Sequence, residues 1–346
     1  MRHITLGLYM KQLIYKITIC LFFLSSLASA AELMVYSHRH YPSDEALFQK
    51  FTEQTGIQIR VVKANADQLI ERIRAEGPEG PADVLITADA GRLAVAKQAG
   101  LLQPIDSEVL TTRVPEAYRD PEHHWFGFTM RARVFIYAPD RVAPEELSTY
   151  ESLADPRWRG RLLIRSSSHV YNQSLMASIL HAHGDAEALN WARGISRNLA
   201  RPPQGGDRDQ IRAVAAGLAD LAVVNTYYFG LMAESPDPSD REIAQRLALF
   251  FPNQGDRGTH VNVSGGGVVR GSANREHAIH FLEFLVSDEA QRSFPAATSE
   301  YAVVPGIPLT EVQAAWGEFK ADPLNLGVLG DLNIEAVRIL NRSGWR

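Results

Sequence analysis

Between Leu33 and Ala99, short apolar runs alternate with amphipathic stretches, and no other feature of the chain constrains its fold as strongly. Leu33-Met34-Val35-Tyr36 has strand character. Asp44 to Gln54 reads as a helix, with Ser43 as its N-cap, Asp44 and Glu45 suited to the positive first turn, and Leu47, Phe48 and Phe51 on one face. Gly56 stops it. Ile57, Ile59 and Val61 alternate with polar residues, as in a strand. Leu69, Ile70 and Ile73 mark a second helix, ended by Gly77-Pro78. Asp83-Val84-Leu85-Ile86 is strand-like, and Gly91 to Ala99 is helical. The order β-α-β-α-β calls for a mainly parallel sheet with helices on both faces.

The pattern resumes further on. Leu162-Leu163-Ile164 is a strand, Gln173 to His183 a helix, Asp207 to Ala216 another, and Leu221-Ala222-Val223-Val224 a buried strand. A second α/β unit therefore runs from about the 130s to the 250s. Thr129 to Tyr137 alternates like a strand that passes from one unit to the other, and His260 to Val269 is its return. His277 to Leu285 and Leu309 to Asn341 read as helical. A chain of 346 residues is long for one core and ample for two domains. The expected fold is α/β, with two lobes hinged by crossing strands. The expected division is 31–130 plus 260–304 for the N-terminal lobe and 131–259 plus 305–346 for the C-terminal lobe.

Residues 1–30 read as an address. Lys11 and Lys16 precede the apolar stretch Ile17 to Leu27, and Ala28-Ser29-Ala30 supplies an A-x-A end, the order of a cleavable secretory signal peptide. Met10 is an alternative start. Removing this segment takes away Arg2, Lys11, Lys16 and the single cysteine, Cys20, and leaves 32 basic against 40 acidic residues, a formal charge of -8. Such a chain lacks the basic excess needed to bind nucleic acid and makes no disulfide. Its expected setting is a bacterial periplasm, as a monomer.

In open α/β sheets, ligands bind beyond the carboxyl ends of the strands. Three turns fall there: Ser37-His38-Arg39-His40-Tyr41, Arg165 to Gln173 with Ser166-Ser167-Ser168, His169 and Tyr171, and Asn225-Thr226-Tyr227-Tyr228-Phe229-Gly230. A phenol with a pKa of about 10 is a poor acid-base catalyst near neutrality. Deprotonated, it is a hard anionic oxygen suited to a small, highly charged cation. Several tyrosines with one histidine point to Fe(III), whereas zinc favours Cys, His and carboxylate, and calcium favours carboxylates and carbonyls. Taken singly, the tandem tyrosines read as packing and the His-Tyr pair as partly exposed; their coincidence at three strand ends brings ligation level with that reading. The serine run lacks the setting of a hydrolase nucleophile and instead offers donors around a bound ion. Gly265-Gly266-Gly267 serves a tight backbone approach. His123-His124 and the pair His181 and His183 read as solvated.

At Arg39-His40-Tyr41, Pro81 to Thr87 with Asp89-Ala90-Gly91-Arg92-Leu93, Tyr171-Asn172-Gln173-Ser174 and Asn225 to Gly230, the sequence resembles the periplasmic ferric-iron-binding proteins of ABC importers, within the extracellular solute-binding superfamily. The resemblance implies a type II periplasmic-binding-protein fold and no enzymatic activity. It implies Fe(III) held in the interlobe cleft by His40, Tyr41, Tyr171, Tyr227 and Tyr228, and delivery to an inner-membrane ABC permease. Four phenolates on Fe(III) leave one net negative charge, which is costly to bury alone. The resemblance makes Arg131 the nearby cation that offsets it. A synergistic anion looks unnecessary. Two rival readings stay open: a sulfate- or phosphate-like oxyanion-binding protein, and a secreted iron-dependent enzyme, which generally wants two His and one carboxylate with open positions.

Overall fold

The structure, a computed structural model, describes residues 31–39 and 41–346. The leader read over residues 1–30, and His40, lie outside the described residues. The first unit follows the expected order: β1 (Glu32–Ser37), α1 (Pro42–Thr55), β2 (Gln58–Lys63), α2 (Ala66–Glu76), β3 (Val84–Thr87) and α3 (Ala90–Gln98). Helix α1 begins at Pro42, whose fixed φ suits the first helical position. Tyr41, not Ser43, is therefore the N-cap residue, and its side chain makes no capping bond. Gly56 closes α1 with φ 76°, as its lack of a Cβ allows. After α4 (Glu108–Arg113) comes the long strand β4 (Phe126–Tyr137).

The second unit comprises β5 (Leu162–Ile164), α5 (Val170–Asn198), α6 (Asp207–Ala215), β6 (Leu221–Asn225), α7 (Thr226–Ala233), α8 (Pro238–Arg246) and β7 (Ala248–Phe250). Helix α5 is broken at Gly184, with φ 75° and ψ 174°. Strand β8 (Val261–Val268) returns to the first unit. It is followed by α9 (Arg275–Leu285), α10 (Asp288–Thr298), β9 (Tyr301–Ala302), α11 (Glu311–Trp316), α12 (Val328–Asp331) and α13 (Asn333–Ser343). The C-terminal segment is thus not one helical stretch. Gly317 at φ 81° ends α11, and the chain then runs irregularly past the bridge between Thr259 and Ala321.

The strand order is β2-β1-β3-β8-β4-β6-β5, with β7 and β9 both beside β4. Among the described strands, β1–β2, β1–β3 and β5–β6 are parallel; the five other pairings, all involving β4 or β8, are antiparallel. The expectation of a mainly parallel sheet therefore holds only towards the two ends. In the middle, β8 enters opposed to both β3 and β4. Strand β4 pairs with β8 through Ala132 and with β6 from Arg133 onward, so one uninterrupted strand joins the two halves. The glycine run on β8 is required by close contact. A Cβ at Gly265 would lie 2.6 Å from the Phe126 carbonyl oxygen, and one at Gly267 would lie 2.4 Å from that of His124. Among the described residues, no helix is long and apolar enough to cross a membrane.

Candidate metal centre

The three turns singled out in the sequence meet. Tyr41 stands at the entrance to α1, Tyr171 in the first turn of α5, and Tyr227 and Tyr228 in the first turn of α7, directly after β6. The hydroxyls of Tyr171 and Tyr227 are 2.9 Å apart. The rings of Tyr227 and Tyr228 lie 4.2 Å apart, and Tyr41 meets Tyr227 edge-on at 6.5 Å and 89°. Tyr227 is buried; the other three are half-buried. Strand β6 is buried along its whole length, which fixes where the tandem pair emerges.

Burial pushes the phenols of Tyr41, Tyr171 and Tyr227 well above their ordinary value. For Tyr41 the Glu300 carboxylate adds to this, for Tyr171 the Tyr228 phenol does, and for Tyr227 the three neighbouring phenols do. These oxygens are therefore protonated near neutrality, and a cation that binds them must displace the protons. Among the described residues, no three His, Cys, Asp or Glu side chains gather in a way that could hold a metal ion. The chemistry of this cluster is that of phenol oxygens, which fits Fe(III) better than zinc.

Behind the phenols lies a layer of buried charge. Arg131, on β4, has its guanidinium carbon 5.7 Å from the centre of the Tyr171 ring, and it donates to the Ala88 carbonyl and to Ser264 Oγ at 3.1 Å. Its nearest carboxylate oxygen, on Glu300, is 3.9 Å away. Arg39 is more fully neutralised: it binds both oxygens of Asp44 at 3.0 Å and Glu300 at 2.7 Å. Arg133 pairs with Asp207 at 2.7 Å and also reaches Asn172 and Asn225. Arg131 is thus the least compensated of the three buried arginines. Arg133 and Arg165 also stand within 6 Å of the Tyr171 ring centre.

His169 caps α5, with its ring 4.4 Å from that of Tyr171 and its Nδ1 accepting from the Tyr171 N–H at 3.3 Å. Burial first, then Arg165, Arg133 and His38, hold its pKa down at about 3, so it is neutral. The serine run is partly engaged elsewhere: Ser167 donates to the Trp345 carbonyl at 2.5 Å, and Ser166 and Ser168 bond each other at 2.8 Å. His124 is not solvated; its Nδ1 lies 3.0 Å from Asp120 in a half-buried position. His181 and His183 are exposed, and His183 rests on Glu151 at 2.8 Å. Sequence reasoning missed Arg133, Asp207 and Glu300. Each is an ordinary charged residue in its local sequence, and only its burial beside an opposite charge sets it apart.

The sequence profile of bacterial extracellular solute-binding proteins matches residues 46–324. The chain is 52% identical over 315 residues to iron uptake protein A1 of Synechocystis, covering 91% of this chain and 88% of that protein. A Trichodesmium protein solved in complex with iron and citrate ligands superposes with a TM-score of 0.88 at 49% identity, covering 91% of this chain and all of that one. The ferric binding protein from Campylobacter jejuni gives 0.87 at 39% identity, with 91% of this chain and 100% of that one covered. The fold is the two-lobed, hinged α/β fold of periplasmic binding proteins expected from the sequence. The chain belongs to the family of bacterial extracellular solute-binding proteins.

Proposed function

We propose that this protein binds Fe(III) in the cleft between its lobes and delivers it to an ABC importer. The observation that carries the reading is the meeting of Tyr41, Tyr171, Tyr227 and Tyr228, from three separate strand ends, at one place. Relatives named for iron uptake, and a similar structure with iron bound, support the same cargo. His40, adjacent to Tyr41, is the fifth ligand in this reading, and Arg131 offsets the negative charge of the phenolate complex.

The remaining parts of the reading follow from that role. Residues 1–30 direct export to the periplasm and are cleaved. Residues 31–130 and 260–304 form one lobe, and 131–259 and 305–346 the other. The protein acts as a monomer, docks on an inner-membrane permease and catalyses no reaction. Metal analysis after incubating stripped protein with ferric citrate or zinc, with binding of radiolabelled sulfate measured alongside, tests the cargo. One iron per chain, without comparable zinc or sulfate uptake, is expected. Sulfate uptake without iron would replace this reading with oxyanion binding.

A further inference from the structure

Two of the sequence stretches noted above, Asp89 to Leu93 and Tyr171 to Ser174, come together. Asp89 ends the turn after β3 and caps α3, its carboxylate accepting from the Arg92 N–H at 3.1 Å. Its other oxygen accepts from Ser174 Oγ on α5 at 2.7 Å and from Asn262 Nδ2 on β8 at 2.7 Å. Asn262 pairs with Arg131 across the two crossing strands, and its own Oδ1 receives the Ala90 N–H at 2.9 Å. One buried carboxylate therefore joins a helix of the first unit, a crossing strand and a helix of the second unit.

A second set of bonds runs beside it. Arg92 donates to Gln173 at 3.1 Å and to Asn333, at the start of α13, also at 3.1 Å. Helix α12 packs against both α3 and α5, and α13 lies along α5. Ser174 is three residues beyond Tyr171, so both lie on one face of α5. Whatever holds Ser174 to Asp89 also fixes where Tyr171 stands relative to Tyr41.

We propose that Asp89 and Ser174, assisted by Arg92 and Gln173, are positioning residues that latch the two lobes together when iron is held. The proposal rests on the iron-binding reading above. A contact made only in the closed state adds its free energy to ligand retention, because the ligand shifts the population towards that state. Both partners of the Asp89–Ser174 bond are buried, and the acceptor is a carboxylate, so its loss is felt strongly.

The test is a double-mutant cycle of Asp89→Asn and Ser174→Ala. Asn still caps α3, so the helix itself is preserved. Iron release to a competing chelator and the melting temperature of the iron-free protein are measured for all four proteins. Each single variant should release iron about tenfold faster than wild type, and the double variant little faster than either. The coupling between the two sites should be absent from the iron-free melting temperatures. Unchanged release, or the same coupling with and without iron, would overturn the latch and leave an ordinary structural bond. The wild-type arm separates the two ideas. Wild type that holds no iron refutes the iron reading itself, whereas wild type that holds iron as firmly as its variants do refutes only the latch.

Discussion

At the scale of single residues, the proposed site places neutral phenols where a bound cation would ionise them. Tyr227→Phe deletes the oxygen that meets Tyr171 but keeps the ring against Tyr228. It should weaken iron binding by orders of magnitude while changing the stability of the iron-free fold by only about 1 kcal/mol. Chelator competition and thermal melting, run side by side, check this; equal losses in both would make the pair mere packing. Proton linkage gives a second expectation. Burial raises the phenols of Tyr41, Tyr171 and Tyr227 above their ordinary value, so every one of them that binds iron releases a proton near pH 7. The logarithm of affinity should therefore fall by about one per pH unit for each phenol bound, and iron should leave as pH falls through the mildly acidic range. A pH-independent affinity would exclude phenolate ligands. The tyrosines were legible in the sequence because each follows an apolar strand run in a polar turn. Glu300 and Arg133 were not, since nothing local marks a charged residue that burial will pair with a distant partner.

At the scale of elements, close packing and one half-buried ionic cluster carry testable consequences. Helices α3 and α12 approach so nearly that a Cβ at Gly330 would lie 2.4 Å from Ala94 Cβ and 2.8 Å from the Gly91 carbonyl oxygen. Gly330→Ala should cost about 2 kcal/mol, because neither neighbour is a flexible side-chain end. A denaturant midpoint equal to that of wild type would show that the helices can part without loss. Glu151 ties Asn253 and Arg257 to the start of the second unit. Burial alone would raise its pKa, but the Asn253 hydrogen bond and the Arg257 charge outweigh it and hold the carboxyl at about 2. Its contribution is complete above its ordinary value of about 4.5 and is lost as pH falls from there towards 2. Glu151→Gln should melt lower than wild type at pH 6, by on the order of 1–2 kcal/mol; the gap should narrow as pH falls below about 4.5 and close only below about pH 2. A gap that persists there would assign it to packing. Element boundaries were read well where glycine or proline ends an apolar pattern, as at Gly56 and Gly77. The antiparallel centre was not legible, because β4 and β8 are buried on both faces and periodicity does not encode direction.

At the scale of the whole molecule, strand β4 runs uninterrupted between the two units, and in the reading proposed above the iron ligands come from both. Binding and closure are then one equilibrium. Small-angle scattering should give a smaller radius of gyration with iron than without, and an unchanged radius would indicate a cleft already closed before iron arrives. The central claim is that iron sits on tyrosine oxygens, and the visible absorption of stripped protein titrated with ferric citrate tests it most directly. A phenolate-to-iron charge-transfer band that saturates at one iron per chain and is strongly reduced in Tyr227→Phe is expected. A protein that takes up ferric iron yet stays colourless would contradict it.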